Sequence, residues 1–570
     1  MVRPLAKIGT ALVLMTMQSP PALAIGGAES MDRPSAYPPY LPPYAPTQKP
    51  EGFTLPPVPT APSTPSLTSR KFTVKHIEIT GNTVLEPEEL NAIAHSYEGR
   101  EATLAELEEL RQTLTRYYID HGYVNSGAVI PADGFKDGVL HINIVEGKYE
   151  VRVKGEERLR KGYIENRLQG DPDKPLNLQE LQDRFQLLLS DPLISRMNGK
   201  IMPGASPGYG ILDVEVVRAR AYHLSVFGNN YRPPSIGAEA VGLDGSLSNL
   251  TGLGETFNFM YYHSSGSDRY AGGFTLPLTD WGTTAFFHFD EGDSSVVEAP
   301  TNKLDIKSQV HNLEGGISHP LINTLRQRLS LGVMLAVREN ETSLGGKPYS
   351  FVIGEPTGHN QATVVRVFQD FTQRFDAHAL AFRSTFSAGI HALGSTAYTQ
   401  SGYPSSEFFV WLGQGQYAYR VGNDGSQVLL RGNVQLSNAA LLPLEKIAVG
   451  GVGTVRGYRE NYRVRDEGYN LSLEYRYPLW TGGATKSDNS LNSLMLIPFL
   501  DYGKAWDYPS VFTNGENNNA LFSVGMGFLW QFKPLSTEFF YGYAINKPVP
   551  NQTGNLQDDG IHFQARLDVF

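Results

Sequence analysis

Residues 468–480 read GYNLSLEYRYPLW. Side chains alternate along an extended chain, so Tyr469, Leu471, Leu473, Tyr475, Tyr477 and Leu479 share one face, and Asn470, Ser472, Glu474 and Arg476 the other. One face suits an apolar phase and the other carries full charges. Charges are cheap against water and costly against lipid, so the alternation fits a membrane-barrel strand whose charged face lines a wet lumen. The end of the chain behaves alike: Ile561, Phe563, Ala565, Leu567 and Val569 alternate with His562, Gln564, Arg566 and Asp568. From Ala221 to Phe570 about sixteen such segments can be marked, an even number as a closed antiparallel membrane barrel of this type needs. A large soluble sandwich or propeller is the competing reading. The aromatic excess, the even strand count and an export signal at the N-terminus favour the barrel.

Composition agrees. The 570 residues include 58 Gly, 29 Tyr and 28 Phe, with 41% hydrophobic and only 19% charged residues. No long apolar run follows the N-terminus, which argues against a helical membrane protein. A net charge of -10 argues against nucleic acid as a partner, because phosphate binding wants a basic face. The absence of cysteine excludes disulfides and cysteine-ligated metals. The histidines are scattered without helical i, i+4 pairing, so no metal or other cofactor is expected. Gly204-Ala205-Ser206-Pro207-Gly208 has the form of a hydrolase nucleophile elbow. Pro207 lacks the backbone N–H that an oxyanion hole would need there, and no enzyme activity is expected.

Upstream, Arg3 and Lys7 precede an apolar run from Ile8 to Met17, then Pro20-Pro21 and Ala22-Leu23-Ala24. This order makes residues 1–24 a secretory signal peptide. Residues 25–70 are dense in proline and read as an extended, semi-rigid linker. Two small α+β units follow, over 71–148 and 149–220, each in the order β-α-α-β-β. In the first, a strand spans Phe72 to Ile79 and helices span Pro87 to His95 and Thr103 to His121, the latter with Leu104, Leu107, Leu110, Leu114 and Tyr118 at helical spacing. In the second, helices are read near Tyr163 to Leu168 and over Leu178 to Leu189. The barrel takes 221–570.

A long polar interval between two alternating segments holds AVGGVGTVRGYRENYRVR, Ala448 to Arg465. Its glycines surround Arg456, and a buried arginine there would need an acidic partner. Phe499-Leu500-Asp501-Tyr502-Gly503, on a predicted strand, offers one. Arg459, Arg463 and Arg465 have no assigned partner and read as loop charges. The glycines lack the strand–helix context and the Gly-Lys-Ser/Thr of a phosphate cradle.

With these pieces together, the chain from about Phe72 to Phe570 resembles the TpsB-type two-partner secretion transporters of the BamA-like superfamily. Val455-Arg456-Gly457-Tyr458 matches that family's loop motif, and Phe499, Asp501 and Gly503 its barrel-wall motif, behind two units resembling POTRA domains. The loop falls between predicted strands eleven and twelve, and Asp501 on the thirteenth. The resemblance implies periplasmic POTRA domains that capture an unfolded, dedicated TpsA-type exoprotein (an adhesin or haemolysin-like cargo) and a barrel that exports it. It implies pairing of Arg456 with Asp501 in the lumen, outer-membrane lipid around the barrel, and the outer-membrane assembly machinery as the partner for insertion. Capture of an extended chain fits strand addition to a sheet edge. Two departures stand out. The proline-rich stretch cannot easily form the helical plug of some members, and Phe570 falls out of phase with the apolar residues before it. An assembly insertase of the same superfamily, or a passive porin or receptor, are the alternatives.

Overall fold

The computed structural model describes residues 71–569 apart from 156–157, 161, 207, 397–401, 483–491, 510–519 and 547–553. With them it describes Pro39, Leu41, Pro42, Tyr44 and the two-residue strand Phe53–Thr54. The expected signal peptide, most of the expected linker, Pro207 and Phe570 lie outside the described residues. The chain forms two compact units: residues 48–220, and Ala221–Phe570 with the described residues Pro39 to Tyr44.

The first core of the first unit holds helices α1 (Pro87–His95) and α2 (Leu104–Asp120). Thr103 starts α2 with a reciprocal capping box: Glu106 N donates to Thr103 Oγ1 at 3.3 Å, and Thr103 N donates to Glu106 Oε2 at 2.6 Å. Leu107, Leu110, Leu114 and Tyr118 form its buried stripe, packed with Leu90 and Ala94 of α1 against Ile77, Leu140 and Ile142 of the sheet. The single strand expected from Phe72 to Ile79 is two. Lys71–Val74 pairs with Arg100–Thr103, whereas His76–Thr80 runs parallel to Val139–Val145. Lys75, between them, donates its N–H to Gly138 O at 2.8 Å as the chain changes neighbours.

Helices α3 (Gly162–Gln169) and α4 (Leu178–Leu189) belong to the second core, where Ile164, Leu168, Leu181 and Phe185 meet Met197, Leu212 and Val214. Asn177 caps α4 by accepting from the Gln179 and Glu180 N–H groups. In this sheet Tyr209–Arg218 lies between Lys148–Lys154 and Ile194–Pro203. The free side of Ile194–Pro203 takes Phe53–Thr54 as a parallel partner, opposite Gly199 and Lys200. A piece of the proline-rich segment thus already adds a strand to this edge.

The second unit is a closed antiparallel barrel of sixteen strands. Its first half is β1 Tyr222–Asn229, β2 Ala240–Ser248, β3 Thr256–Ser264, β4 Ser267–Pro277, β5 Thr284–Ser295, β6 Ile306–Asn323, β7 Gln327–Leu344 and β8 His359–Arg374. Its second half is β9 His378–Ile390, β10 Phe409–Val421, β11 Ser426–Ser437, β12 Glu467–Thr481, β13 Ser493–Trp506, β14 Leu521–Phe532, β15 Leu535–Ala544 and β16 Ile561–Asp568. Closure comes from Ser225–Asn229 of β1 pairing with Gln564–Asp568 of β16. A two-residue flap, Lys347–Pro348, pairs with the end of β7.

The alternation in β12 divides as its chemistry requires: Leu471, Leu473, Tyr475 and Tyr477 are exposed on the outside, while Asn470, Ser472 and Glu474 are buried inside. At the end where β1 begins, Trp281, Tyr477, Trp480, Trp530 and Phe532 are exposed together, an aromatic girdle suited to a membrane interface. Among the described residues no helix is long and apolar enough to cross a membrane. This chain crosses with strands.

Candidate functional site: a loop clasped by the barrel wall

Residues 438–466 connect β11 to β12. Within this loop Ile447–Val449 pairs antiparallel with Arg463–Arg465, and the small ribbon presents residues 450–462 as a tip. Gly450 and Gly451 turn the chain with φ of +115° and +102°, in the left-handed half of backbone space that glycine tolerates best.

The tip is buried against the wall, with Val455, Arg456 and Tyr458 all at most 1% exposed. Arg456 is the centre. Its Nε donates to Asp501 Oδ2 at 2.7 Å and its Nη2 to Asp501 Oδ1 at 2.7 Å, a bidentate fork; its backbone N–H adds a third bond to Oδ2 at 3.0 Å. Nη1 donates to Glu474 Oε1 at 2.8 Å, and Nη2 also to Ser472 Oγ at 2.9 Å. The guanidinium lies 3.6 Å from the centroid of the Phe499 ring. So the wall meets the tip with two carboxylates, a hydroxyl and an aromatic face.

The strand motif can be assigned position by position, because Phe499, Asp501 and Gly503 share the inner face of β13. Phe499 is the platform and Asp501 the anchor. Gly503 supplies room: a Cβ there would come within 2.6 Å of Val449 and 2.8 Å of Val455. In the loop motif, Val455 and Tyr458 join a buried apolar cluster with Val449, Ala505 and Leu521. Tyr458 also donates its hydroxyl to Asn546 O at 2.7 Å. Gly457 (φ +88°) touches backbone, and a Cβ on it would meet Gly542 O of β15 at 2.7 Å. Conversely, a Cβ on Gly542 would meet Gly457 N at 2.6 Å. Two main chains press together at this point.

The structure adds partners the sequence reading lacks. Glu474, read only as a lumenal charge, is the second acid on Arg456, and it is shared with Arg431 and with Arg476, whose Nη2 lies 2.9 Å away. Its place opposite Phe499, two residues before Asp501 in the β12–β13 register, follows from strand pairing, which the two segments do not spell out separately. Arg459 and Arg465 are corrected: they are paired. Arg459 forks onto Asp558, with Nε–Oδ1 at 2.5 Å and Nη2–Oδ2 at 2.8 Å, and reaches Glu298 at 2.8 Å. Arg465 pairs with Asp507 at 3.2 Å. These acids lie in irregular loops, where periodicity carries no signal. Among the described residues, the grouping with metal-like donors is Glu339, Glu341 and His359; the two glutamates face away from the lumen side of β7 that carries buried Arg338 and Asn340. His359 Nε2 already lies 2.5 Å from Glu339.

A family description, "Haemolysin secretion/activation protein ShlB/FhaC/HecB", matches residues 208–528, more than half of the chain. The chain belongs to the ShlB/FhaC/HecB family. Residues 72–147 match the ShlB-type POTRA domain. Similar relatives of this ShlB/FhaC/HecB protein include the outer membrane transporter CdiB of Dickeya dadantii, 24% identical over 84% of this chain and 83% of its own length. The heme/hemopexin transporter protein HuxB of Haemophilus influenzae is 23% identical over 88% and 87%. Among solved structures, CdiB from Escherichia coli superposes with a TM-score of 0.68 at 20% identity, covering 90% of this chain and 94% of its own. CdiB from Acinetobacter baumannii gives 0.59 at 14% identity over 88% and 90%. The protein is therefore a TpsB-type outer-membrane transporter, with its barrel in the outer membrane and its POTRA region in the periplasm.

Proposed function

We propose that this transporter captures an unfolded TpsA-type exoprotein with its periplasmic POTRA unit and passes it through the barrel, and that the Arg456 clasp holds the lumenal loop in the resting position. The observation that carries the reading is a fully buried guanidinium satisfied from two neighbouring wall strands. Removing one member of such a pair strands the other's charge in a desolvated site, at a cost of ~3–5 kcal/mol. A clasp of that size holds at rest, and one passing chain with polar groups of its own can compete for it. A loop seated in the lumen also argues against a passive open pore. Strand addition is supported as the capture mode by the edge at Ile194–Pro203, which already accepts an extended segment of the protein's own chain. The reading assigns no catalytic role to any residue. Insertion into the membrane falls to the outer-membrane assembly machinery.

The test is secretion of the exoprotein by Arg456→Ala in cells. The barrel should reach the outer membrane in normal amount and stay heat-modifiable on gels, while exoprotein in the medium falls at least about tenfold, the factor that 1.4 kcal/mol of lost coupling produces. Unimpaired secretion would sink the gating role.

A further inference from the structure

The base of the same loop carries a second buried ion cluster that the tip does not use. Glu445, 1% exposed, ends the short turn Pro443–Glu445. Arg366 Nη2 on β8 donates to Oε1 at 2.7 Å and Oε2 at 2.9 Å; Arg338 Nη1 on β7 donates to Oε1 at 3.2 Å and to Leu444 O at 2.8 Å. The other guanidinium nitrogens of Arg366 have no hydrogen-bond partner, so Glu445 is the acid that balances this buried cation. Gln435 of β11 completes the seat. Its Nε2 donates to the backbone carbonyls of Glu445 at 2.9 Å and Asp466 at 3.0 Å, tying the start of the loop to its end.

This seat reverses the polarity of the other. At the tip the loop brings the cation and the wall the acids; at the base the loop brings the acid and the wall the cations. The seats also stand on different strands, β12 and β13 for the tip, β7 and β8 for the base. They share no residue, so one can open while the other stays closed. Leu441 and Leu442 hold the base further by packing on Ala336, Ala362 and Val364 of β7 and β8.

We propose that Glu445 is a positioning residue of the gate: it pins the base of the loop to β7 and β8 as a pivot, so that release at Arg456 swings the tip and leaves the base seated. This rests on the gating role proposed for Arg456. Because Arg456 is clasped from β12 and β13, with further tip contacts to β15 and to Asp558, while the base is held separately from β7, β8 and β11, the pivot fixes where a released tip can travel, and so how far the pore opens.

Hydrogen exchange on the full-length protein in detergent, read by mass spectrometry, tests it with Arg456→Ala and Glu445→Gln. In Arg456→Ala, peptides over 450–458 should exchange at least about tenfold faster while those over 440–447 keep their protection; that is the exchange equivalent of 1.4 kcal/mol. In Glu445→Gln, the 440–447 peptides should lose protection too. Equal loss in both regions of Arg456→Ala means the loop moves as one piece and overturns the pivot. Retained protection over 440–447 in Glu445→Gln overturns it as well. If Glu445→Gln does not insert, Arg366→Gln attacks the same seat from the wall, and Glu445→Asp, which keeps the charge, should restore protection. The Arg456→Ala arm decides without touching the base at all. A merely structural role would not order pore sizes, so conductance in planar bilayers gives the second reading: the step of Arg456→Ala should be smaller than that of the double variant, and equal steps count against the proposal. Normal secretion by Arg456→Ala would end the gating role, yet the exchange pattern in the same samples would still show whether the base is pinned.

Discussion

A residue's meaning here depends on how closely backbone approaches backbone. Gly457 and Gly542 illustrate this, since either Cβ would press into the other's main chain at 2.6–2.7 Å. Gly542→Ala keeps a φ that alanine accepts, yet its methyl group has no space, and overpacking of this kind costs ~1–3 kcal/mol. The tip should lift from β15, and Arg456 with it. Limited trypsin digestion of the intact protein measures the effect: cleavage within 456–463 should speed up in Gly542→Ala, and an unchanged digestion rate would show that the contact yields without cost. Gly457 was legible as part of a motif. Gly542 was not, because an isolated glycine in an aromatic strand has no local signature of what approaches it.

At the scale of elements, the first small domain shows how a strand edge and a helix end are tied by one carboxylate. Glu98, in the turn after α1, accepts from the Ile77 N–H at 2.8 Å and lies 2.7 Å from His76 and 3.0 Å from His95. The Ile77 N–H first, and then the two imidazoles, hold its carboxyl below the usual carboxylate value. The folded state therefore favours the ionised form. Its stabilising contribution is fully present above the ordinary glutamate pKa of ~4.3 and is lost as pH falls through the lowered folded value. Glu98→Gln should lower the melting temperature of the periplasmic unit at pH 7, and the gap from the unaltered protein should close in acid as pH falls through the lowered folded value; a gap that persists there would remove the charge from the explanation. Helix boundaries in this unit were readable, because α2 carries apolar residues at three- and four-residue spacing and Gly122 follows its end. The split of the first strand at Lys75 was not, because it depends on which neighbour each half pairs with.

For the whole molecule, two units with separate cores imply separable roles. The periplasmic unit buries its own apolar clusters, and the barrel closes on itself by hydrogen bonding β1 to β16. Deleting Phe72 to Tyr149 should therefore abolish binding of the exoprotein while the barrel still assembles and remains heat-modifiable. Retained binding by the shortened protein would move the capture site elsewhere. The clasp joins these scales, since in the proposed gate a few polar contacts at one loop tip hold a loop inside a lumen enclosed by sixteen strands.

Periodicity and composition alone determined the barrel and its strand number, the inward charged faces and the two α+β units, while the pairing of Arg456 with Asp501 was implied by the motifs that carry the family resemblance. These are repeated or motif-borne signals, and alternation follows directly from strand geometry in a two-phase environment. Tertiary structure decided what lies across the lumen. Glu474 reaches Arg456 through strand register, Arg459 and Arg465 find Asp558 and Asp507 in irregular loops, and Glu445 meets Arg338 and Arg366 from strands about a hundred residues upstream, as the 107 and 79 positions between them record. Buried charges must be paired wherever they end up, but only barrel closure sets which distant side chains share that interior.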